Sequence, residues 1–400
     1  MVTGTNGPLS GIKVVELAQW VFVPSAAAIL AELGADVIRI EHPKHGDPYH
    51  ALTTAGAANS AGALSARSAQ ANRGKRSIGI DLGAPGGRDV AYSLIREADV
   101  FMTSLRVGAL VKHGMSQQDL AEINPRLVYA RGDAFGPAGA DSDKPGYDIT
   151  AFWARGGVGE LVTEPDAPQL ARQPPSFGDR IASVGLAAGV MASLLGLERG
   201  CEPQPVGASL IGAAAWVTAS EIVSGGPAKG PGQRVAMPPL TGSYRCADGK
   251  WIMLNLMQSE RFWDDFCKCI GAPELRSDER FFNVQGRDGN GAELRLELEA
   301  VLGRCTRDEW SAALADFDGP WAPVQDVSEL ASDPQMEANG FVCPVEGSDM
   351  RLVRSPFTVG VPQRILPRGP ELGEHTEELL LESGCSWDQI VRLKDAGVIT

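Results

Sequence analysis

The first 200 residues alternate between two hydrophobic periodicities. Short β-branched runs at residues 12–17 and 35–40 predict strands, and each run is followed by an apolar or amphipathic stretch of helical length. Residues 24–33 are typical of a helix, because Pro24 suits a first helical turn and Gly34 suits a C-terminal cap. The same alternation predicts further strands at 77–82, 100–105 and 127–130 and helices at 85–98 and 115–123. Strands separated by helical crossovers indicate a parallel sheet covered on both faces.

The composition changes near residue 225, which predicts a second domain. Residues 178–199 are rich in Ala, Gly and Ser and predict one long helix, buried because small residues let neighbouring backbones approach closely. A Pro- and Gly-rich segment follows at 225–232, and amphipathic helical patterns lie beyond it. We predict an α/β fold with two domains. A large Rossmann-like domain with a parallel sheet is formed by residues 1–222 and completed by residues 323–400, and residues 223–322 form a smaller α+β domain.

The composition is that of a soluble globular protein with an acidic surface. The 400 residues are 44% hydrophobic and 22% charged, and 36 basic against 50 acidic side chains give a net charge of −14. A field of this sign disfavours nucleic acid and anionic membranes as partners. No cationic segment leads into an apolar stretch at the start of the sequence, and no uninterrupted apolar run reaches about 18 residues. These features predict a cytoplasmic protein without a membrane span.

Several kinds of site are disfavoured by missing motifs. The sequence contains no GxGxxG, no GxxxxGK[ST] and no GxSxG motif. These absences argue, in the same order, against a dinucleotide-binding enzyme, a nucleoside triphosphatase and an α/β-hydrolase. The seven cysteines include no CxxC pair and are interpreted as buried thiols in a reducing compartment. His42, His45 and His50 share a loop with Glu41 and Asp47, but their spacing fits no compact metal site. We therefore expect no metal.

Two aspartates and two basic segments are the candidates for chemistry. Asp148 ends a Pro-Gly-Tyr-Asp segment, and Asp179 stands at the start of the helix predicted at 178–199. An aspartate at that point is most often an N-cap, and the alternative is an ionised carboxylate held in a cleft by the positive end of the helix. Basic residues at 73–76, and Arg106 with Lys112, are either phosphate ligands or solvated surface.

Seven segments together resemble the family III CoA transferases, the group that includes formyl-CoA transferase and carnitine CoA transferase. They occur in the family's order over nearly the whole chain. The segments are residues 8–16, 33–41, 75–78, 124–129, 145–148, 178–179 and 372–376.

The resemblance implies a transfer of CoA from an acyl-CoA donor to a carboxylic acid acceptor. In the family, the aspartate that opens the long helix attacks the thioester and becomes covalently attached, and here this residue is Asp179. Coenzyme A is then a substrate, and no cofactor is needed. The family's members form interlocked homodimers, which we also expect for this chain. The residues implied in CoA binding are Val21, Phe22, His42, Ile80, Asp81, Leu82, Gly83, Ser104, Leu105, Arg106 and Lys112.

Some of these positions depart from the family pattern, and two alternative functions remain. His42 stands where arginine or proline is common, and Lys112 where arginine is common. An α-methylacyl-CoA racemase shares the fold but needs a base on each face of its substrate. The racemases use a histidine where this chain has Tyr147, which is a poor base near neutral pH. The other alternative is a non-catalytic acyl-CoA-binding homologue, because an N-cap alone would also retain Asp179.

Overall fold

The protein is described by a computed structural model that covers residues 7–50, 66–164, 166–226, 238–361 and 363–400. It divides into two compact units. The larger unit contains residues 1–227 and 335–400, and the smaller unit contains residues 228–334.

The larger unit is built on a six-stranded sheet in which every neighbouring pair of strands is parallel. Its strands are β1 (Lys13–Leu17), β2 (Asp36–Glu41), β3 (Arg76–Gly79), β4 (Val100–Thr103), β5 (Val128–Asp133) and β6 (Val206–Ser209). The order across the sheet is β3-β2-β1-β4-β5-β6, so the direction of the chain connections reverses between β1 and β4. This is the doubly wound Rossmann order, and it confirms the predicted α/β fold class.

Helices cover both faces of this sheet. Before the chain enters the smaller unit they are α1 (Phe22–Glu32), α2 (Ala66–Asn72), α3 (Gly87–Arg96), α4 (Val107–His113), α5 (Gln117–Ile123), a π-helix (Ile149–Arg155), α6 (Val158–Leu161), α7 (Phe177–Glu198), α8 (Leu210–Val217) and α9 (Ala219–Val223). Successive strand residues point to opposite faces. Val14 therefore packs into a core layer with α1 and α7, whereas Val15 packs into the layer on the other side of the sheet.

The long helix α7 is buried along one face only. Its small residues pack closely against α1. However, only a third of the most apolar 18-residue stretch of this helix is buried. The prediction of a wholly buried helix is therefore wrong for the opposite face. By length and composition, α7 is the one helix among the described residues that could cross a membrane. The same test is passed by core helices of soluble proteins, and α7 packs against α1 and β6.

The smaller unit combines an antiparallel sheet with helices. The sheet order is β7 (Thr241–Arg245), β8 (Trp251–Asn255) and β9 (Trp321–Pro323), and the helices are α10 (Ser259–Cys269), α11 (Pro273–Ser277), α12 (Val284–Gly289), α13 (Gly291–Leu302), α14 (Arg307–Ala313) and a 3-10 turn (Leu330–Ser332). The sequence places the end of this domain at residue 322. In the structure residues 323–334 stay with the smaller unit, because the Arg307 guanidinium binds Glu329 (2.7 Å) and the Val324 carbonyl (3.1 Å).

The chain then returns to the larger unit. Its last elements are α15 (Pro334–Asn339), β10 (Val342–Pro344), β11 (Arg351–Val353), α16 (Thr376–Glu382) and α17 (Trp387–Asp395). The Thr376 hydroxyl accepts a hydrogen bond from the Gly79 N–H at the end of β3 (3.1 Å), and Leu380 and Ile390 are fully buried beside the sheet. The C-terminal residues thereby cover the β3 edge of the sheet.

A network of buried charges joins the first three strands. Glu16 on β1 and Lys75 just before β3 form an ion pair with fully buried side chains, and the Lys75 ammonium also donates to the Pro24 carbonyl (2.9 Å). Burial lowers the pKa of Lys75 to about 8, although the negative charge of Glu16 opposes this change. Arg39 on β2, also buried, pairs with Asp47. Each of these four buried charges therefore has an opposite charge in contact, as burial requires.

Candidate active site

A cavity of about 250 Å³ lies at the carboxyl ends of β1 to β4. It is located where the chain connections diverge, which is the usual ligand position in sheets of this order. Its walls come from the ends of four strands, the segments that follow them, and one face of α4. The lining residues are Leu17, Ala18, Gln19, Ile40, Glu41, His42, Gly46, Asp47, Ile80, Asp81, Leu82, Gly83, Leu105, Ala109 and His113.

Six of the residues implied in CoA binding line this cavity: His42, Ile80, Asp81, Leu82, Gly83 and Leu105. Ser104 lies beside it, because its hydroxyl accepts a hydrogen bond from the N–H of the lining residue Gln19 (3.0 Å). Arg106 and Lys112 are exposed at the start and in the last turn of α4, whose residues Ala109 and His113 face the cavity. The structure thus brings nine of the eleven together.

Val21 and Phe22 do not line the cavity with their side chains. Both are buried, with 2% and 7% of their surface exposed, at the start of α1. Phe22 lies against β5, where a Cβ added to Gly132 would come within 2.8 Å of its ring. Their side chains therefore pack into the core, and the implied contact of Val21 and Phe22 with CoA stays a prediction.

The basic segment at residues 73–76 is also not free to bind phosphate. Arg73 pairs with Glu32 (2.6 Å), Lys75 pairs with Glu16, and Arg76 pairs with Asp36. Arg106 and Lys112, on α4, form no such ion pair among the described residues. His42 stacks on His45 with ring centroids 4.6 Å apart, and its Nε2 lies 3.8 Å from an oxygen of Asp81.

Trp20, which no sequence pattern singles out, connects the cavity with the segment that contains Asp148. Its φ of 70° is in the left-handed region, and its N–H donates to Asp47 (3.0 Å), which lines the cavity. The indole packs edge-on against Tyr147 with ring centroids 5.3 Å apart. Nothing in the sequence signals this conformation, since an L-residue with a bulky side chain rarely adopts a positive φ.

Asp148, and not Asp179, caps α7. The Asp148 Oδ1 accepts a hydrogen bond from the Gly178 N–H (3.1 Å), whereas Ser176 at the N-cap position makes no side-chain capping bond. A Cβ on Gly178 would lie 2.4 Å from that oxygen and 2.3 Å from Phe152, so only glycine permits this approach. The interpretation of Asp179 as the N-cap is therefore wrong. Its carboxylate accepts no hydrogen bond within the described part of the chain.

Burial and a neighbouring carboxyl group change the ionisation of Asp179. Burial, together with the negative charge of Asp148, raises the pKa of Asp179 to about 7, and the adjacent Arg180 only partly opposes this. Burial also raises the pKa of Asp148. We expected the helix end to keep Asp179 ionised. In the structure burial, with the charge of Asp148 adding to it, favours the protonated form of Asp179 up to about pH 7.

The position that holds a histidine in the racemases is here on the surface. The Tyr147 side chain is 57% exposed and lies against Trp20. A tyrosine hydroxyl, and not an imidazole, therefore stands at this position. The described residues also contain no group of three or more His, Cys, Asp or Glu side chains arranged to hold a metal ion.

The sequence pattern of CoA-transferase family III matches residues 9–376, and the chain belongs to this family. It is similar to the (R)-2-hydroxy-4-methylpentanoate CoA-transferase of Clostridioides difficile, at 31% identity over 98% of this chain and 99% of the relative. It is 30% identical to the cinnamoyl-CoA:phenyllactate CoA-transferase of Clostridium sporogenes, over 98% and 97%. The crystal structure of a CaiB/BaiF family protein from Brucella suis has a TM-score of 0.82 and 28% identity, covering 95% of this chain and 100% of that one. The chain is therefore a CoA transferase, which confirms the predicted class of enzyme.

The contact between Asp148 and Asp179 generates a prediction about stability. The pKa of Asp179 is higher in the folded chain than the ordinary aspartate value, so the folded state loses stability as the pH rises through about 7. Asp148→Asn keeps an oxygen for the Gly178 N–H but removes the like charge, so this loss becomes smaller. Between pH 5 and pH 8, the free energy of unfolding measured in urea should fall by about 1 kcal/mol more in the unmodified protein than in Asp148→Asn.

The control is Asp143→Asn, which removes an exposed carboxylate from the same segment of the chain. Its dependence on pH should equal that of the unmodified protein. Equal slopes for all three proteins would show that Asp148 does not affect the ionisation of Asp179.

Proposed function

We propose that this enzyme moves CoA from an acyl-CoA donor to a carboxylic acid acceptor through a covalent adduct on Asp179. The observation that carries the proposal is that the two aspartates have different roles at the start of α7. Asp148 accepts the hydrogen bond from the first turn of α7, and the Asp179 carboxylate accepts none within the described residues. Asp179 is thus placed by the helix but remains available to attack.

The reaction proceeds in four balanced steps. An Asp179 carboxylate oxygen attacks the acyl carbon of the donor and the C–S bond breaks. The CoA thiolate is released, and Asp179 and the acyl group now form a mixed anhydride. The thiolate attacks the Cγ carbon of Asp179 and the donor acid leaves as a carboxylate. The acceptor carboxylate then attacks Cγ and releases the thiolate again. Finally the thiolate attacks the acceptor's acyl carbon and Asp179 departs as a carboxylate. No net proton is exchanged, and these steps use neither a metal nor a redox cofactor.

The raised pKa of Asp179 suits this role. A carboxylate that binds protons up to about pH 7 is more basic, and hence a stronger nucleophile, than an ordinary aspartate. The cost is that only the ionised fraction reacts. The rate of adduct formation should therefore rise with pH through about 7.

The surroundings of Asp179 indicate apolar acyl groups. Phe177, two residues before it, is 42% exposed, and Tyr147 and Trp20 form an aromatic pair next to Asp148. The two similar transferases are named for acids with a branched or an aromatic side chain. We propose 2-hydroxy acids with apolar side chains as substrates of this enzyme, with (R)-2-hydroxy-4-methylpentanoate as the first acceptor to assay.

CoA itself is proposed to occupy the cavity at the ends of β1 to β4. The loop of residues 80–83 and Leu105 supply apolar and backbone contacts, and Arg106 and Lys112 lie near enough to the opening to meet phosphates. Neither Arg106 nor Lys112 has an ion pair among the described residues, so both charges are available to a ligand.

We also propose an interlocked homodimer located in the cytoplasm. Four large apolar side chains on α8 and α9 are exposed: Trp216 by 80%, Val217 by 45%, Ile222 by 60% and Val223 by 85%. A patch of this kind is typical of a protein interface. All seven cysteines are unpaired thiols, which suits a reducing compartment.

The covalent mechanism is tested with Asp179→Asn. The amide preserves the size of the side chain but is not a nucleophile, so folding survives while CoA transfer falls by at least about a thousandfold. Incubation with acyl-CoA and then hydroxylamine should modify Asp179 in the unmodified protein, as read by peptide mass spectrometry. Glu198→Gln, at the other end of α7, serves as the control and should retain activity. Rapid exchange of solvent deuterium into a 2-methylacyl-CoA, with no trapped adduct, would indicate the racemase instead.

The CoA site is tested with Arg106→Ala. One charge-assisted bond to phosphate contributes about 1.5–3 kcal/mol, so the Kd for CoA in calorimetry should rise about tenfold or more. Arg126→Ala removes an exposed arginine just before β5, at the amino ends of the strands and opposite the cavity, and should leave the Kd unchanged. Equal affinity in both variants would place the phosphates elsewhere.

The assembly is tested by light scattering at micromolar concentration. The unmodified protein should have the mass of two chains. Trp216→Asp places a charge within the apolar patch and should weaken or disrupt the dimer, whereas Trp387→Asp, at a similarly exposed tryptophan on α17, should not. A monomeric unmodified protein would contradict the proposal.

A further inference from the structure

Arg180 follows Asp179 in the first turn of α7 and is partly buried, with no ion-pair partner among the described residues. Its guanidinium makes one hydrogen bond, from Nη1 to the Ser25 hydroxyl of α1 (2.8 Å). No carboxylate among the described residues lies within ion-pair distance of it. Two other buried arginines of this unit differ in this respect, because Arg39 pairs with Asp47 and Arg73 pairs with Glu32.

The missing partner leaves an uncompensated charge beside the reaction site. Burial lowers the pKa of Arg180, and Arg73 adds to this effect, whereas Tyr49 and Asp179 act in the opposite direction. A guanidinium in such surroundings is stabilised by any anion that reaches it. The molecule therefore has a cationic position that a bound anion would complete.

The remaining donors of Arg180 are open to a ligand. A guanidinium carries five N–H groups, and the bond to Ser25 uses one of them. Neither Nε nor Nη2 is among the described polar atoms that are fully enclosed without a partner. These two nitrogens form one edge of the guanidinium, whose geometry matches the two oxygens of a carboxylate.

The position of Arg180 connects Asp179 with the cavity. Its side chain reaches α1 at Ser25, and Tyr49 is close enough to interact with its charge. Tyr49 belongs to the segment after β2, directly beyond the lining residue Asp47, and its ring lies 6.3 Å from that of Trp20. An acid bound at Arg180 is therefore next to the residue that we propose as the nucleophile.

We propose that Arg180 is the binding site for the carboxylate of the acceptor acid. The proposal rests on the proposed function, in which this acid attacks a thioester on Asp179. Arg180 binds the acid as an anion and offsets its repulsion from Asp148. A carboxylate oxygen then attacks the Asp179 Cγ, the C–S bond breaks, and the CoA thiolate leaves. The thiolate next forms a C–S bond with the acid's acyl carbon while Asp179 departs as a carboxylate. The donor acid leaves from the same position in the first half of the cycle.

The kinetic test separates the two halves of the cycle. With acyl-CoA alone, Arg180→Gln should still form the covalent adduct on Asp179, as seen by mass spectrometry of the intact protein. In full turnover with (R)-2-hydroxy-4-methylpentanoate as the acceptor, the KM for the acid should rise about thirtyfold, because two charge-assisted bonds are lost, while the KM for acyl-CoA stays within about twofold. Arg180→Lys should recover part of the affinity for the acid. Arg172→Gln, an exposed arginine in the segment before α7, is the control and should leave both constants unchanged.

A binding measurement does not depend on the covalent mechanism. Calorimetry should detect binding of (R)-2-hydroxy-4-methylpentanoate by the Asp179→Asn protein, and Arg180→Gln in that background should abolish it. Unchanged binding in the double variant, or an unchanged KM for the acid in Arg180→Gln, would overturn the role of Arg180. If the unmodified protein forms no adduct but the acid still binds through Arg180, the proposed function fails and the carboxylate site stands.

Discussion

The contact between the Asp148 carboxylate and the first turn of α7 organises the reaction site. It satisfies a backbone N–H that a helix start would otherwise leave without a partner. It also requires glycine at position 178, because any side chain there would collide with the carboxylate. Since Asp148 supplies the cap, Asp179 need not. Burial raises the pKa of Asp179 to about 7 and the charge of Asp148 adds to this, so the same contact contributes to the placement and the basicity of the proposed nucleophile.

Buried charges beneath the cavity have a comparable role for the sheet. Glu16, Lys75, Arg39 and Asp47 come from β1, β2 and the segments beside them, and they neutralise one another inside the protein. A pair of this kind adds little net stability over an apolar pair, but loss of one partner is costly. The network therefore determines where the strand ends meet. It also holds Trp20 in its left-handed conformation, through Asp47, and so aims the indole at Tyr147.

The cavity and the surroundings of Asp179 differ in chemical character. The cavity has walls of mixed apolar and acidic character, with positive charge near its opening, which suits a long ligand whose phosphates remain near the surface. Around Asp179 lie the carboxyl group of Asp148 and the unpaired Arg180, and both Asp179 and Arg180 are partly exposed. Such a place favours a small anion that brings its own negative charge to the guanidinium. Because the chain has a net charge of −14, an unpaired positive side chain such as Arg180 provides a local exception to its negative field.

The sequence alone determined the parallel sheet, the order of most of its helices and strands, the family and the identity of Asp179 as a candidate. These properties depend on local hydrophobic periodicity and on short segments, which are visible without the fold. The tertiary structure decided which charges are available. The sequence suggests Arg73 and Lys75 as possible phosphate ligands. In the folded chain they instead form ion pairs with Glu32 and Glu16, residues more than 40 positions away. From the sequence, Asp179 is either a helix cap or an ionised group. In the structure its role and its protonation depend in part on Asp148, which is 31 residues earlier in the chain. Electrostatic interactions of this kind depend on distances through space, and distances between remote residues exist only once the chain has folded.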